Sequence, residues 1–182
     1  MQTCACSWPR LISAPHAIAR HGSLWGRCFG EAKADKFAAW MRWNDRPMML
    51  AVLSNPSDKD YDFIPNRSLD NVVQFAHEEG FGGVEIVNAF SAVAGTSSDL
   101  KRLPVRILRQ NDEHISAAVA HAGAIFVAWG DGIMSRPGMA YRAQELRRLL
   151  GESVECFGMN AKQPRHAQRL PFVRQPYRWP AA

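Results

Sequence analysis

The sequence predicts an α/β protein with three layers, α/β/α, built on a mainly parallel four-stranded central sheet. Short continuous apolar runs, typical of strands buried on both faces, alternate along the chain with segments of helical periodicity. The composition, 47% apolar and 21% charged residues, is that of a chain able to bury a core. Strands that alternate with helices are joined by right-handed crossovers, so neighbouring strands run parallel and helices cover both faces.

Four segments have the pattern of strands. Residues 48–53 (MMLAVL) form a continuous apolar run bounded by Pro47 and by Asn55-Pro56, as expected for a strand buried on both faces. Three shorter apolar runs follow, each separated from the next by a segment of helical or polar character. We therefore predict strands at residues 48–53, 84–87, 125–129 and 154–157.

Helices are predicted between these strands. The best-defined one covers residues 68–79, where apolar side chains recur at helical spacing, with Ser68 as the N-cap and Gly80 as the C-cap. The others are a short helix near Leu100, a longer helix around residues 112–122 and a basic amphipathic helix over residues 141–150.

Composition divides the chain into three parts. The first 30 residues contain no Asp or Glu and show no periodicity, so we interpret residues 1–35 as a leader, either transit-like or the product of an upstream start codon, and exclude it from the fold. Residues 36–170 form the predicted single domain. Residues 171–182 form a tail rich in proline, aromatic and basic residues.

Charge and cysteine content exclude several classes of protein. The 182-residue chain carries 22 Lys+Arg against 17 Asp+Glu, a formal charge of +5, and no apolar run approaches the roughly 18 residues of a membrane span. Its four cysteines are too few for a disulfide scaffold and favour a reduced, cytoplasmic location. No acidic pair has metal-binding spacing and no Walker or Gly-x-Gly-x-x-Gly loop occurs, so we expect no metal and no cofactor.

The basic residues are concentrated near the C-terminus. No acidic residue follows Glu155, and aromatic side chains are interleaved with the basic ones. This pattern favours either a surface that follows phosphates and stacks on bases, or a solvated tail kept extended by its prolines. The residues concerned are Lys162, Arg165, Arg169, Arg174 and Arg178, with Phe172, Tyr177 and Trp179.

Polar and glycine residues follow each predicted strand. Ligands of open α/β sheets bind at the carboxyl ends of the strands, so these residues should meet at one edge of the sheet. Amide side chains, a histidine, a tryptophan and glycines there suit a planar, polar, uncharged ligand such as a nucleobase better than a polyphosphate. The segments are residues 54–57, 88–90, 129–130 and 158–166.

Several of these motifs, in this order, resemble the bacterial and phage family called domain of unknown function 1643. They are Leu53-Ser54-Asn55-Pro56-Ser57, the run from Phe75 to Phe90, Asn111-Asp112, Ala128-Trp129-Gly130 and Pro164-Arg165-His166, and the resemblance covers about residues 40 to 170. The family usually has His-Pro where this chain has His166-Ala167.

The order of features is also similar to that of the uracil-DNA glycosylase superfamily, which implies a uracil-DNA glycosylase-like fold. That resemblance implies that Asn55 positions or activates water and that His166 stabilises negative charge on a leaving base. It implies further that Asn88 reads the base edge and that Tyr61 or Phe63 stacks on an extruded base.

An amide cannot abstract a proton, so Asp58, Asp60 or Asp62 would have to supply a general base. The remaining predicted binding residues are Ser57, Phe90, Trp129, Gly130 and Arg165.

Two functions follow as hypotheses. The first is a glycosylase-like hydrolase of N-glycosidic bonds in nucleic acid, with Asn55 and His166 as catalytic residues. The second is a non-catalytic nucleotide- or nucleic-acid-binding accessory protein of phage or mobile DNA. Each site residue also has a structural alternative: Asn55 in a turn, Asn88 bonded to backbone at a strand end, Trp129 in the core and His166 on the surface.

Overall fold

The computed structural model describes residues 24–30, 35–56, 67–93, 105–132, 140–169 and 171–179. Within these residues the chain forms one seven-stranded mixed sheet and three helices. The strands are β1 Leu24–Phe29, β2 Lys36–Arg42, β3 Met48–Leu53, β4 Gly83–Asn88, β5 Ala122–Val127, β6 Glu155–Cys156 and β7 Gln175–Pro176; the helices are α1 Arg67–Glu78, α2 Val105–Val119 and α3 Ala140–Leu150.

The sheet has a parallel centre and antiparallel edges. Its order is β1-β2-β4-β3-β5-β6-β7, and the four strands predicted from the sequence are the parallel strands β4, β3, β5 and β6. The prediction of a four-stranded sheet is wrong, because β1 and β2 extend one edge and β7 the other, all in antiparallel pairing. Such edge strands are short or half-exposed and lack the continuous apolar signature of buried strands.

Helices cover both faces of the sheet, which gives the α/β/α layers predicted. Alternate side chains of β3 point to opposite faces: Met49 and Ala51 pack in the cluster with α1, whereas Leu50 and Val52 pack in the cluster with α2 and α3. All six residues of β3 are buried. The short helix predicted near Leu100 lies outside the described residues.

Helix α1 ends as predicted but begins earlier. Gly80 has φ +78°, and the backbone N–H groups of Gly80 and Phe81 donate to the carbonyls of His77 and Ala76, which is a Schellman C-cap. The helix already includes Arg67, so Ser68 is a buried first-turn residue and the predicted N-cap is wrong.

Strand β1 lies inside the segment that the sequence analysis set aside as a leader. Its residues pair with β2 along their length, Trp25 opposite Met41 and Arg27 opposite Ala39. Cys28 is buried in the core. The folded part therefore includes residues 24–30, which composition alone did not reveal because an edge strand needs only one apolar face.

Aromatic side chains of the C-terminal segment pack against the core. Tyr177 is buried and its ring packs edge-on against Trp129, while Trp179 lies 6.0 Å from Trp129 between ring centroids. Phe172 stacks on Phe157 at 4.3 Å. These aromatic rings are therefore packed against the protein's own core.

Arg174 of the same segment is neutralised by two carboxylates. Its guanidinium donates to both oxygens of Glu155 on β6 and to Oε2 of Glu79, which follows α1. These hydrogen bonds raise its pKa above the usual value. The ion pairs hold the C-terminal segment against the edge of the sheet. They also balance the positive charge of Arg174 with negative charge from Glu79 and Glu155.

No helix in the described part of the chain is long and apolar enough to cross a lipid bilayer.

The packing of Tyr177 predicts a large difference between two substitutions. Burial raises its pKa to about 12, and its hydroxyl has no hydrogen-bond partner among the described residues. Tyr177→Phe removes an unsatisfied polar group, so we expect unchanged stability or a gain of up to about 1 kcal/mol. Tyr177→Ala leaves a cavity beside Trp129 and should cost about 3 kcal/mol in urea unfolding. Exposed Arg178→Ala is the control, with a change within about 0.5 kcal/mol; an equally small effect of Tyr177→Ala would contradict the packing.

Candidate functional site

A cavity of about 320 Å³ lies at the carboxyl ends of β3, β5 and β6. From β3 the chain passes over one face, through α1, to β4, and from β5 it passes over the other face, through α3, to β6. The strands β3 and β5 are adjacent, so their exits diverge and leave a crevice, the usual ligand position in open α/β sheets. The cavity is lined by Ser54, Asn55, Trp129, Gly130, Asp131, Gly132, Asn160, His166, Gln168 and Arg169.

Four of the residues predicted for the site line this cavity: Asn55, Trp129, Gly130 and His166. Both predicted catalytic residues are among them. The Asn55 amide donates to the Pro56 carbonyl at 3.2 Å, which places it in the turn that leaves β3. The predicted residues Ser57, Tyr61 and Phe63 lie outside the described residues, as do Asp58, Asp60 and Asp62.

Three other predicted residues do not line the cavity. Asn88 is 3% exposed at the end of β4, and its buried Oδ1 has no hydrogen-bond partner in the part of the chain that the structure describes. Phe90 is a core residue that lies beneath the buried guanidinium of Arg142, 5.9 Å from ring centroid to Cζ. Arg165 donates to the Pro171 carbonyl at 2.9 Å. Sequence reasoning placed all three by their position after a strand, which does not determine the side-chain direction.

His166 is held in place from both sides of its loop. Asn71, a buried residue of α1, donates to the carbonyl of the next residue, Ala167, at 2.9 Å. Gly130, which follows β5, has φ +74°, and a Cβ at this position would lie 2.9 Å from the Cβ of His166. The β5 exit can therefore approach the histidine only because residue 130 has no side chain.

The hydrogen bonding of His166 determines which ring nitrogen carries a proton. Its Nδ1 accepts a hydrogen bond from the backbone N–H of Gln168 at 3.2 Å. Burial, and secondarily the charge of Arg169, lower the pKa of His166 below its usual value. The ring is therefore neutral at pH 7, with its proton on Nε2, and it can donate a hydrogen bond without carrying a charge.

Trp129 contributes to the cavity mainly as a packed wall. Its side chain is 1% exposed, and its indole N–H donates to the buried Gln163 at 2.9 Å. Gln163 belongs to the loop between β6 and His166, so this bond joins the exits of β5 and β6. Tyr177 and Trp179 cover the ring, which leaves no open face for stacking.

Sequence reasoning did not select Asp131 and Arg169 as site residues. Asp131 accepts a hydrogen bond from the side-chain amide of Asn160 at 2.6 Å. The Arg169 guanidinium forms no hydrogen bond or ion pair within the part of the chain that the structure describes. The available signal was position: Asp131 directly follows the Trp129-Gly130 motif, and Arg169 is the third residue after His166.

Among the described residues, no cluster of three or more His, Cys, Asp or Glu side chains has the arrangement of a metal site. The groups that line the cavity supply hydrogen bonds and single charges. They include donors at His166 and Arg169, a carboxylate at Asp131 and amides at Asn55 and Asn160.

The contact between Gly130 and His166 predicts that Gly130→Ala displaces the histidine loop. The added methyl group requires a left-handed backbone and a 2.9 Å contact, and we expect a loss of stability of about 1–2 kcal/mol. The NMR signals of the His166 ring should shift. Gly132→Ala is the control because a Cβ there meets no atom of the described residues within 4 Å; equal effects of the two variants would contradict this account.

The buried histidine also predicts a pH dependence of stability. Since folding lowers the pKa of His166 below the value of 6.5 expected in the unfolded chain, the unfolded state binds more protons in acid. The contribution of His166 to stability is therefore full above about pH 6.5 and is lost as pH falls through its folded pKa. NMR titration should give a pKa below 6.5, and His166→Gln should flatten the unfolding free energy over this range. A pKa of 6.5 or above would contradict the burial.

The sequence matches one known protein family. A family model described as "Protein of unknown function (DUF1643)" matches residues 36–167, from the start of β2 to the residue after His166. No curated protein and no solved structure matches the chain. The family model covers well over half of the chain, and the family resemblance predicted from the motifs is confirmed. The protein therefore belongs to the DUF1643 family of proteins of unknown function.

Proposed function

We propose that the protein binds a nucleobase in the cavity beside His166 and hydrolyses the N-glycosidic bond that joins this base to a sugar in nucleic acid. The observation that carries the proposal is the position of His166, which is half-buried, lines the cavity together with Asn55, and accepts a hydrogen bond at Nδ1 from the Gln168 N–H. The order of motifs, which is similar to that of the uracil-DNA glycosylase superfamily, also supports it.

The chemistry requires stabilisation of a negative charge. When the bond between C1′ of the sugar and the base nitrogen breaks, its electron pair moves to the base. A fixed donor aimed at such a charge in a partly buried site lowers the barrier more than a mobile water can. A neutral imidazole with its proton on Nε2 is such a donor, and Arg169 adds a positive charge at the same cavity.

The size and polarity of the cavity fit one base with part of its sugar. A volume of about 320 Å³ lies at the small end of the range of ligand sites. Amide groups from Asn55 and Asn160 give the cavity hydrogen-bonding groups without net charge, which suits a polar, uncharged ligand. In this proposal Asn55 positions the attacking water, whereas Asn88 has no role in reading the base.

The accessory-protein hypothesis loses part of its support. It relied on aromatic and basic side chains of the C-terminal segment as a contact surface. Tyr177 and Trp179 pack against Trp129, Phe172 stacks on Phe157, and Arg174 is paired with two carboxylates. Non-catalytic binding of nucleic acid is therefore retained as an outcome of the experiment below.

Base release from oligonucleotides tests the proposal. Single-stranded and duplex oligonucleotides carrying uracil or modified bases are incubated with the protein, and abasic sites are detected by alkaline cleavage. We expect one or more of these substrates to be cleaved, and His166→Gln to slow release about 10²–10³-fold, as the loss of one fixed donor does in other enzymes. His77→Gln, which changes an exposed histidine on α1, should leave the rate unchanged.

Two results would contradict the proposal. One is salt-sensitive binding without any abasic product, which would favour the accessory-protein hypothesis. The other is base release that His166→Gln leaves intact while His166 still titrates with a lowered pKa in the parent protein.

A further inference from the structure

The cavity contains two opposite charges that do not neutralise each other. Asp131 follows β5 and Arg169 follows the His166 loop, and both line the cavity without forming an ion pair. One negative and one positive side chain at the same cavity, without an ion pair between them, suit a ligand that is itself polarised.

The transition state of N-glycosidic hydrolysis has this polarity. As the bond lengthens, the sugar gains positive charge at C1′ and the base gains negative charge. A carboxylate stabilises the sugar end, and the His166 N–H with the Arg169 guanidinium stabilises the base end. Asp131 beside the base would instead raise the barrier by repulsion, so its place is at the sugar.

Asp131 is also held in one orientation. Its Oδ2 accepts the hydrogen bond from Asn160 at 2.6 Å, and its Oδ1 has no hydrogen bond within the described residues. Asn160 is itself placed by the bond between its backbone N–H and the Gln163 carbonyl. One carboxylate oxygen is therefore fixed, and the other is available to a water molecule.

We infer that Asp131 is the general base and the anionic stabiliser of this site, a role that rests on the proposed function. Asn55 cannot accept a proton, and Asp131 is the one carboxylate among the described residues that line the cavity. Asp131 takes a proton from water while the water oxygen bonds to C1′. The bond from C1′ to the base nitrogen breaks, its electron pair stays on the base, and the base takes up a proton on release. Asn160 is a positioning residue for Asp131.

Binding of charged sugar analogues tests this inference without requiring turnover. The probes are 1,4-imino-ribitol, protonated at pH 7, and its neutral isostere 1,4-anhydro-ribitol, each free and as the corresponding abasic unit in a single-stranded oligonucleotide. We expect the parent protein to bind the cation about tenfold tighter than the neutral probe, a free-energy difference of about 1.4 kcal/mol. Asp131→Asn should abolish this preference, and Asn160→Ala should reduce it.

The control carries the same change of charge at the opposite end of the sheet. Asp45 lies in the turn before β3 and is fully exposed. The variant Asp45→Asn should keep the preference for the cationic probe. Thermal unfolding of all variants verifies that each is folded. The inference is overturned if the parent protein shows no preference for the cation, if Asp131→Asn keeps it, or if Asp58→Asn, Asp60→Asn or Asp62→Asn removes it instead.

The proposed function and this inference fail in different ways. Absence of base release, with a cation preference that depends on Asp131, contradicts hydrolysis and supports the charge assignment. Base release that persists at full rate in Asp131→Asn contradicts the charge assignment and supports hydrolysis.

Discussion

The complete burial of β3 organises the sheet, the helices and the cavity. This strand pairs with parallel strands on both sides and is covered by helices on both faces. Its apolar side chains on both faces must be covered, so α1 packs on one face of the sheet while α2 and α3 pack on the other. The divergence of the chain after β3 and β5 opens the crevice that holds Asn55 and His166.

Polar side chains from the helices hold the edge of this crevice. Asn111 of α2 donates to the carbonyls of Asn88 and Ala89, and the buried Arg142 of α3 donates to Ala89 as well. The Nη1 atom of Arg142 also lies 2.7 Å from Oδ1 of Asp112, at ion-pair distance. The Asn111-Asp112 motif therefore serves the fold, because buried strand-end carbonyls need donors.

The C-terminal segment completes the wall behind the cavity. Tyr177 and Trp179 cover Trp129, and the ion pairs of Arg174 tie the segment to β6 and to the end of α1. The loop with Asn160 and His166 lies between β6 and this segment, so both of its ends are anchored in the sheet. The basic residues of the C-terminal part therefore differ in their surroundings. Arg174 is paired with two carboxylates, whereas Arg169 lines the cavity.

Features that depend on local pattern can be predicted from the order of residues alone. Continuous apolar runs located the buried parallel strands, helical periodicity and Gly80 located the end of α1, and the positions after the strands pointed to Asn55 and His166. The tertiary structure alone decided which side chains reach the cavity, because a position after a strand does not fix side-chain direction or burial. Asn88 and Phe90 are buried for that reason, and Asp131 meets Asn160 only because β5 and β6 are neighbours. It also decided the antiparallel edges, since β1 and β7 are defined by long-range pairing partners that no short window of sequence contains.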